Sequence, residues 1–260
     1  MYSFFDESKR NFTDIEETAS TNTLLKELIR SVNGRCFSVI RARRQSGGRG
    51  RLGRSFFSPG GGLYFSAAFP LCGKETHIPF LTLLCGLAAS EAIQELGGLE
   101  TEIKWPNDIM IGEKKLGGIL CELVSGKEPT AVAGIGLNLN LCDSETPPEL
   151  CGKVCSVLGA GAAVPDEVRL MKNILKRLDK AVYTDAELFS PRPETLKKIK
   201  ERSCSLGKAV SFQENGETLR GIIMDIAPNG AAVVTGEDGK MRELNSAYSV
   251  TQLTASHRQP

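Results

Sequence analysis

The longest apolar stretch of the chain, from Ile78 to Ile93, is interrupted by only two hydroxyl side chains and one carboxylate. It falls short of the roughly 18 unbroken apolar residues that a membrane-spanning helix needs, so we expect no membrane contact. The stretch instead predicts a long, largely buried helix over 78–96, which ends at Gly97-Gly98. A chain of 260 residues, 41% hydrophobic and 24% charged, can bury a large core in one or two domains.

Further segments follow from apolar periodicity. Strands are predicted near 37–42, 63–69, 102–105, 108–112, 115–123 and 131–139, and helices over 12–33, 166–182 and 193–202. After Cys204 the sequence becomes strand-like, with turns at Glu214-Asn215-Gly216, Pro228-Asn229-Gly230 and Asp238-Gly239. This spacing suits a small antiparallel barrel. We therefore predict two domains, over 1–203 and 204–260.

Positive charge is concentrated in one part of an otherwise balanced chain, whose net charge is +1. No acidic residue lies between Glu27 and Glu75, an interval that contains eight arginines. Scattered charges usually form a solvated face, but from Gly47 to Arg54 the arginines are interleaved with glycines. Glycine lets the backbone approach a ligand closely, and arginine binds phosphate or carboxylate through two N–H groups. This segment therefore predicts an anion-binding loop.

The sequence does not contain the motifs that several common binding and catalytic sites require. The sequence over 48–53 matches G-x-G-x-x-G, but the Ser55–Gly60 segment that follows is not a helix start, which disfavours a dinucleotide-binding fold. Two histidines, His77 and His257, and the lack of a G-x-S-x-G motif disfavour a triad hydrolase. The eight cysteines include no C-x-x-C pair and indicate neither a disulfide framework nor a zinc site.

Three later motifs each allow two interpretations. The segment Lys104–Asp108 contains the only tryptophan and reads as a binding motif or as a strand end with a polar turn. Two glycines within Lys115–Glu122 weaken a strand and often mark the close approach of a ligand or another backbone. The segment Gly134–Asn140 places first glycines and then asparagines on one strand face. Taken singly, none of the three decides between structure and function.

Taken together and in this order, the motifs resemble the biotin–protein ligases, also called biotin–[acetyl-CoA carboxylase] ligases or holocarboxylase synthetases. The resemblance runs from Ser20-Thr21-Asn22 through the arginine-glycine loop and the three later motifs, and covers most of 14–254. It implies an α+β fold: a mixed β-sheet catalytic domain packed with helices, of the class II synthetase-like biotin ligase type, and a small C-terminal SH3-like β-barrel.

The resemblance also implies an activity. The family makes biotinyl-5′-AMP from biotin and ATP, releases pyrophosphate, and transfers biotin to one lysine of a biotin carboxyl carrier protein. We expect Mg²⁺ with ATP, a cytoplasmic enzyme because no signal peptide is evident, and no membrane partner. A homodimer through a sheet edge is compatible with the family. Only about 19 residues precede Ser20, too few for the DNA-binding domain of some members, so we expect no DNA binding.

Site residues are carried over by resemblance alone. Lys104 and Arg51 would be the catalytic cations beside the biotin carboxylate and the α-phosphate. Biotin is assigned to Ser20, Thr21, Asn22, Gln45, Gly48, Arg49, Gly50, Arg51, Lys104 and Gly118. The adenylate is assigned to Arg49, Arg51, Arg54, Phe56, Lys104, Asn107, Lys115 and Asn138. Asp108 is a candidate ligand for Mg²⁺ or a partner for a lysine.

The sequence departs from the family where Phe56 replaces a common tryptophan and Gly47 a common alanine. Other functions stay open. A lipoate or octanoate ligase or transferase shares the fold but usually carries a histidine in its loop, which this chain lacks. A nucleic-acid-binding module would need aromatic residues spaced along a basic groove, and a non-catalytic biotin sensor would not need Lys104 and Arg51.

Overall fold

The computed structural model describes residues 10–32, 36–71, 77–184, 186, 191–214, 216–245 and 250–252. Cys72, Asn215 and His257, which entered the sequence analysis, lie outside these ranges. The seven cysteines that the structure does describe are free thiols. No helix in these ranges is long and apolar enough to cross a membrane.

A seven-stranded sheet forms the larger part of the molecule. Its strands are β1 (Asn11–Thr18), β2 (Ser38–Gln45), β3 (Gly62–Pro70), β4 (Glu102–Lys104), β5 (Asp108–Ile111), β6 (Lys114–Val124) and β7 (Thr130–Asn138). They lie in the order β1-β2-β3-β7-β6-β5-β4. The β1–β2 pair is parallel and the other pairs are antiparallel. The predicted mixed sheet is confirmed.

Helices cover both faces of this sheet. They are α1 (Thr21–Ser31), α2 (Ile78–Gly97), α3 (Glu167–Asp179) and α4 (Pro193–Glu201). The odd-numbered side chains of β3 and β7 pack with α2 and α3 in the main core, while Ala68 and Val132 pack under α1. Helix α2 is buried over most of its length and ends at Gly98, which adopts the left-handed conformation, as its apolar sequence predicted. The short α1 leaves part of its face of the sheet open for a site.

The predicted helix over 12–33 is wrong in its first third. The segment Asn11–Thr18 is the edge strand β1, and the helix begins only at Thr21. In β1 the carboxylates Asp14, Glu16 and Glu17 lie beside the arginines of β2 and form ion pairs with them. This cross-strand pairing is non-local, so helical periodicity within one segment could not reveal it. Ser20 precedes the first helical residue, but its side chain makes no capping hydrogen bond.

The C-terminal region is a five-stranded antiparallel sheet. Its strands are β8 (Ala209–Glu214), β9 (Glu217–Ile226), β10 (Ala232–Gly236), β11 (Met241–Leu244) and β12 (Val250–Gln252), in the order β11-β10-β9-β8-β12. The antiparallel sheet is confirmed. Within the described residues its edge strands β11 and β12 are not paired with each other, so the predicted closed SH3-like barrel is not confirmed.

The two sheets share buried contacts. The backbone N–H of Trp105 donates to Ser205 Oγ at 2.8 Å, and its indole N–H donates to the Gly230 carbonyl at 3.0 Å. A Cβ atom on Gly230 would lie 2.4 Å from the backbone nitrogen of Phe80, so this turn can approach α2 closely only as glycine. Phe212 of β8 belongs to the same buried core as α2. The boundary at residue 203 stays a prediction, and it crosses a shared core.

Candidate active site

A cavity of about 140 Å³ lies on the face of the large sheet that α1 covers only in part. It is enclosed by the start of α1, the loop after β2, and strands β5, β6 and β7. The predicted site residues among its lining are Ser20, Thr21, Asn22, Gln45, Arg49, Gly50, Arg51, Arg54, Phe56, Asn107, Asp108, Lys115 and Gly118. We call this the first cavity. Residues far apart in sequence, which were assigned to one site from motifs, are thus brought together.

A second cavity of about 350 Å³ adjoins the first. The two share Gln45, Ser55, Phe56 and Lys115 as lining residues. The second cavity also contains the predicted residues Gly48 and Asn138, and its remaining walls include the apolar side chains Leu141, Pro147, Leu150 and Val154. These four residues belong to the loop over 141–154, whose short turns have no helix or strand periodicity, so its sequence did not indicate a cavity wall.

The end of the first cavity near α1 is a hydrogen-bonded polar surface. The backbone N–H of Thr21 donates to Gln45 Oε1 at 2.8 Å, and Gln45 Nε2 donates to Ser58 Oγ at 2.9 Å. The Thr21 hydroxyl lies 3.2 Å from the same Gln45 oxygen. Because both ends of the Gln45 amide are bound, its orientation is fixed. This end of the cavity suits a neutral polar group that needs defined donors and acceptors.

Another part of the lining of the first cavity is cationic. The loop after β2 contributes Arg49, Arg51 and Arg54, and Arg51 donates to Asn107 Oδ1 at 3.3 Å. Burial lowers the pKa of Arg51, the carboxylate of Asp108 acts in the opposite direction, and the charge of Arg54 lowers it further. An arginine still remains protonated near neutral pH. A half-buried guanidinium with a like-charged neighbour would be stabilised by an anion.

The boundary between the two cavities is formed by a lysine and an aromatic ring. Lys115 Nζ lies 2.6 Å from Asp108 Oδ1 and 5.6 Å from the centre of the Phe56 ring. A Cβ atom on Gly136 would lie 2.6 Å from Phe56 Cε1, and one on Gly118 would lie 3.1 Å from Cε2. The glycines of the two strand motifs therefore allow the Phe56 ring to approach the sheet.

Asp108 is the ion-pair partner of Lys115, so its carboxylate is already engaged. In the part of the chain that the structure describes, no three histidine, cysteine, aspartate or glutamate side chains form a group that could hold a metal ion. The residues present therefore do not fit a magnesium site built by the protein alone.

Two predicted residues lie differently from the others. Lys104 does not line the first cavity. Its direct partner on the neighbouring strand, Asp108, does line it. Directly paired residues of neighbouring strands share one face of the sheet. Asn138 is buried, and its Nδ2 donates to the carbonyl of Cys155 at 3.1 Å. The role assigned to each of them stays a prediction.

The structure resembles that of a solved enzyme that binds a small carboxylic acid and a nucleotide. Biotin protein ligase from Aquifex aeolicus in complex with biotin and ATP superposes with a TM-score of 0.77 and 29% identity, over 94% of this chain and 99% of that one. The fold is that of the biotin protein ligases.

The chain belongs to the biotin/lipoate A/B protein ligase family. The model of that family matches residues 15–140, and the model of the biotin protein ligase C terminal domain matches residues 205–247. Together the two matches cover well over half of the 260 residues. The resemblance drawn from the motifs is confirmed.

Curated relatives agree with this assignment. The biotin–[acetyl-CoA-carboxylase] ligase of Mycobacterium tuberculosis is 28% identical over 232 residues, which span 85% of this chain and 82% of the relative. The bifunctional ligase/repressor BirA of Bacillus subtilis is 34% identical over 146 residues, or 55% of this chain. That match spans 45% of the Bacillus protein, so the chain corresponds to less than half of its length there.

Proposed function

We propose that this chain is an ATP-dependent biotin–protein ligase. It activates biotin as biotinyl-5′-AMP with release of pyrophosphate, and then transfers biotin to a specific lysine of a biotin carboxyl carrier protein. The observation that carries the proposal is the pair of adjoining cavities that meet at Phe56 and Lys115. One has a neutral polar end and a cationic side, and the other has an apolar wall beside a buried amide.

In this proposal the ureido ring of biotin occupies the polar end of the first cavity. A cyclic urea offers two N–H donors and one carbonyl acceptor, and Ser20, Thr21, Asn22 and Gln45 offer hydroxyl and amide partners. The acyl chain then extends toward the loop arginines. Its carboxylate would lie beside Arg51, where a negative charge relieves the repulsion between Arg51 and Arg54.

The adenine of ATP would occupy the second cavity. There it meets the Phe56 ring and the apolar side chains Leu141, Leu150 and Val154, with Asn138 in the same wall. An aromatic face stacks on any base, and an amide can recognise adenine through hydrogen bonds. The α-phosphate would then lie at the boundary between the cavities, near Lys115 and the loop arginines.

The chemistry needs positioning and fixed charge more than a nucleophile. A carboxylate oxygen of biotin forms a bond to the α-phosphorus, and the bond from that phosphorus to the pyrophosphate oxygen breaks. Negative charge builds up at the α-phosphate, and fixed cations in a site that excludes water stabilise it. Arg49, Arg51, Lys104 and Lys115 are the proposed cations. In the second step the carrier lysine attacks the acyl carbon and AMP leaves.

The remaining assignments rest on the family rather than on this geometry. Magnesium is proposed as part of the MgATP substrate, since the described carboxylates form no site for it. The carrier protein as acceptor, pairing of two copies through a sheet edge, a cytoplasmic location and closure of the C-terminal sheet into an SH3-like barrel are proposed on the same basis.

The test is exchange of labelled pyrophosphate into ATP by the purified chain, which isolates the first step and needs no carrier. Exchange that depends on biotin, and is not supported by lipoate or octanoate, is the expected result. Exchange with lipoate or octanoate alone would leave the fold assignment intact and show that biotin is not the substrate. The lack of exchange with any of the three acids would overturn the proposed enzyme.

A further inference from the structure

The amide of Asn22 is held from both ends by neighbouring strands. Its Nδ2 donates to Glu122 Oε2 at 3.0 Å and to the Leu120 carbonyl at 3.1 Å, both on β6. Its Oδ1 accepts from the hydroxyl of Ser66 on β3 at 2.6 Å. Asn22 and Ser66 are buried, and Asn22 lines the polar end of the first cavity. A residue that would contact a ligand is therefore oriented by β3 and β6, and two of its partners, Ser66 and Glu122, lie outside the cavity lining.

Two acceptors on β6, the Leu120 carbonyl and the Glu122 carboxylate, set the orientation of this amide. An ionised carboxylate accepts hydrogen bonds and cannot donate them, so the amino end of Asn22 must face β6. The oxygen end then lies over β7, where a Cβ atom on Gly134 would be 2.1 Å from Asn22 Oδ1. Glycine at 134 provides the room for the amide, and the Leu120 carbonyl and the Glu122 carboxylate set which end of it lies over β7.

The surroundings of Glu122 favour its ionised form. Its second oxygen accepts from Lys26 Nζ of α1 at 2.6 Å. Burial raises the pKa of Glu122, but hydrogen bonds from Lys26 and Asn22 and the charges of Lys26 and Arg49 lower it below its ordinary value. Glu122 is thus bonded to two residues of α1, Asn22 and Lys26, and is also stabilised by the charge of Arg49.

We propose that Glu122 is a positioning residue that determines specificity for a cyclic urea. By holding the Asn22 amino group against β6, it presents the Asn22 oxygen as an acceptor at the polar end of the first cavity. A carbonyl oxygen can accept a second hydrogen bond beside that from Ser66, and a ureido N–H supplies it. The dithiolane ring of lipoate has no such donor. This inference rests on the proposed function and adds the basis of its selectivity.

The test is Glu122→Gln, which keeps the shape of the side chain. A glutamine can turn an N–H toward Asn22, which removes one of the two acceptors that hold its amino end and leaves the Leu120 carbonyl as the other. We expect the KM for biotin in pyrophosphate exchange to rise about ten-fold, the size of one net hydrogen bond. The KM for ATP should stay unchanged, and the preference for biotin over lipoate should shrink. The melting temperature should fall, because the largely buried Lys26 loses its ionised partner. Desthiobiotin, which keeps the ureido ring, should lose affinity in parallel.

Glu16→Gln is the matched control, since Glu16 is also an ion-paired glutamate but lies exposed on β1 beside Arg43. It should leave every kinetic constant unchanged. A wild-type biotin KM in Glu122→Gln would overturn the inference, and so would equal rises in the KM for biotin and ATP, which indicate a merely structural role. The wild-type chain separates the two proposals: without biotin-dependent exchange there, the proposed function itself fails, and this inference with it.

Discussion

Two groups of arginines follow one another within fourteen residues and have different surroundings. Arg41, Arg43 and Arg44 lie on β2 and pair with carboxylates of β1. Arg49, Arg51 and Arg54 lie in the loop that follows and line the first cavity. In sequence both groups belong to one basic segment. The difference teaches that neighbours in one basic segment can have different surroundings: the first group is tied to a neighbouring strand by counter-charges, and the second faces a cavity.

The charges that surround the two groups of arginines also differ. Arg41 is buried and also pairs with Glu167 of α3, so β1, β2 and α3 are joined at one guanidinium. Arg51 instead has Arg54 as a like-charged neighbour, and Asp108, whose charge acts on it in the opposite direction, is paired with Lys115. We therefore expect substitutions in the first group to change stability and those in the second to change catalysis.

The largest effect is expected from Arg51→Ala. Removal of one donor that stabilises transition-state charge typically costs about 10²- to 10³-fold in kcat, and we expect a loss of this size in biotin-dependent pyrophosphate exchange. The melting temperature should change little, because Arg51 faces a cavity. Near-normal turnover would show that the loop arginines are no more catalytic than those of β2.

Lys104→Ala is expected to reduce exchange by about 10²-fold, as loss of a fixed cation near the α-phosphate would. Lys104 shares a sheet face with Asp108 but does not line the first cavity, so this variant tests whether the cationic site extends beyond the loop. The comparison variant Lys104→Arg, which keeps the charge, should retain more activity. Equal loss in both variants would indicate a role in packing.

Arg41→Met is expected to act on stability. It leaves Asp14 and Glu167 without their shared partner, and removing one member of a buried ion pair costs about 3–5 kcal/mol. Both carboxylates are partly exposed, so about 2 kcal/mol is expected here in chemical unfolding. Exchange per folded molecule should be unchanged. A catalytic defect at wild-type stability would break the division between the two groups.

The smallest effect is expected from Arg43→Gln combined with Arg44→Gln. Both side chains are more than half exposed and pair with exposed carboxylates of β1. Exposed pairs of this kind contribute at most about 1 kcal/mol. Urea unfolding and exchange kinetics should both resemble those of the wild type. A marked fall in either would assign these arginines a role that their contacts do not indicate.

Sequence patterns identified the parts of this fold that depend on local order. The buried helix α2 and the strands from β3 to β7 follow from apolar runs, glycines and turns, and most of the motif residues line two adjoining cavities. The edge strand β1 was missed because the pairing of Asp14 with Arg41 joins distant segments. The loop containing Leu150 and Val154 was missed for a related reason, since it becomes a cavity wall only when folded against Phe56.

The measurement that tests the central claim most directly is mass spectrometry of the purified chain after incubation with biotin and ATP. The account predicts that biotinyl-5′-AMP forms, and that adding a biotin carboxyl carrier protein consumes it and places biotin on one carrier lysine. Arg51→Ala should form little adenylate. Arg41→Met should form as much adenylate per folded molecule as the wild type. Unaltered biotin and ATP after incubation with the folded wild-type chain would contradict the account.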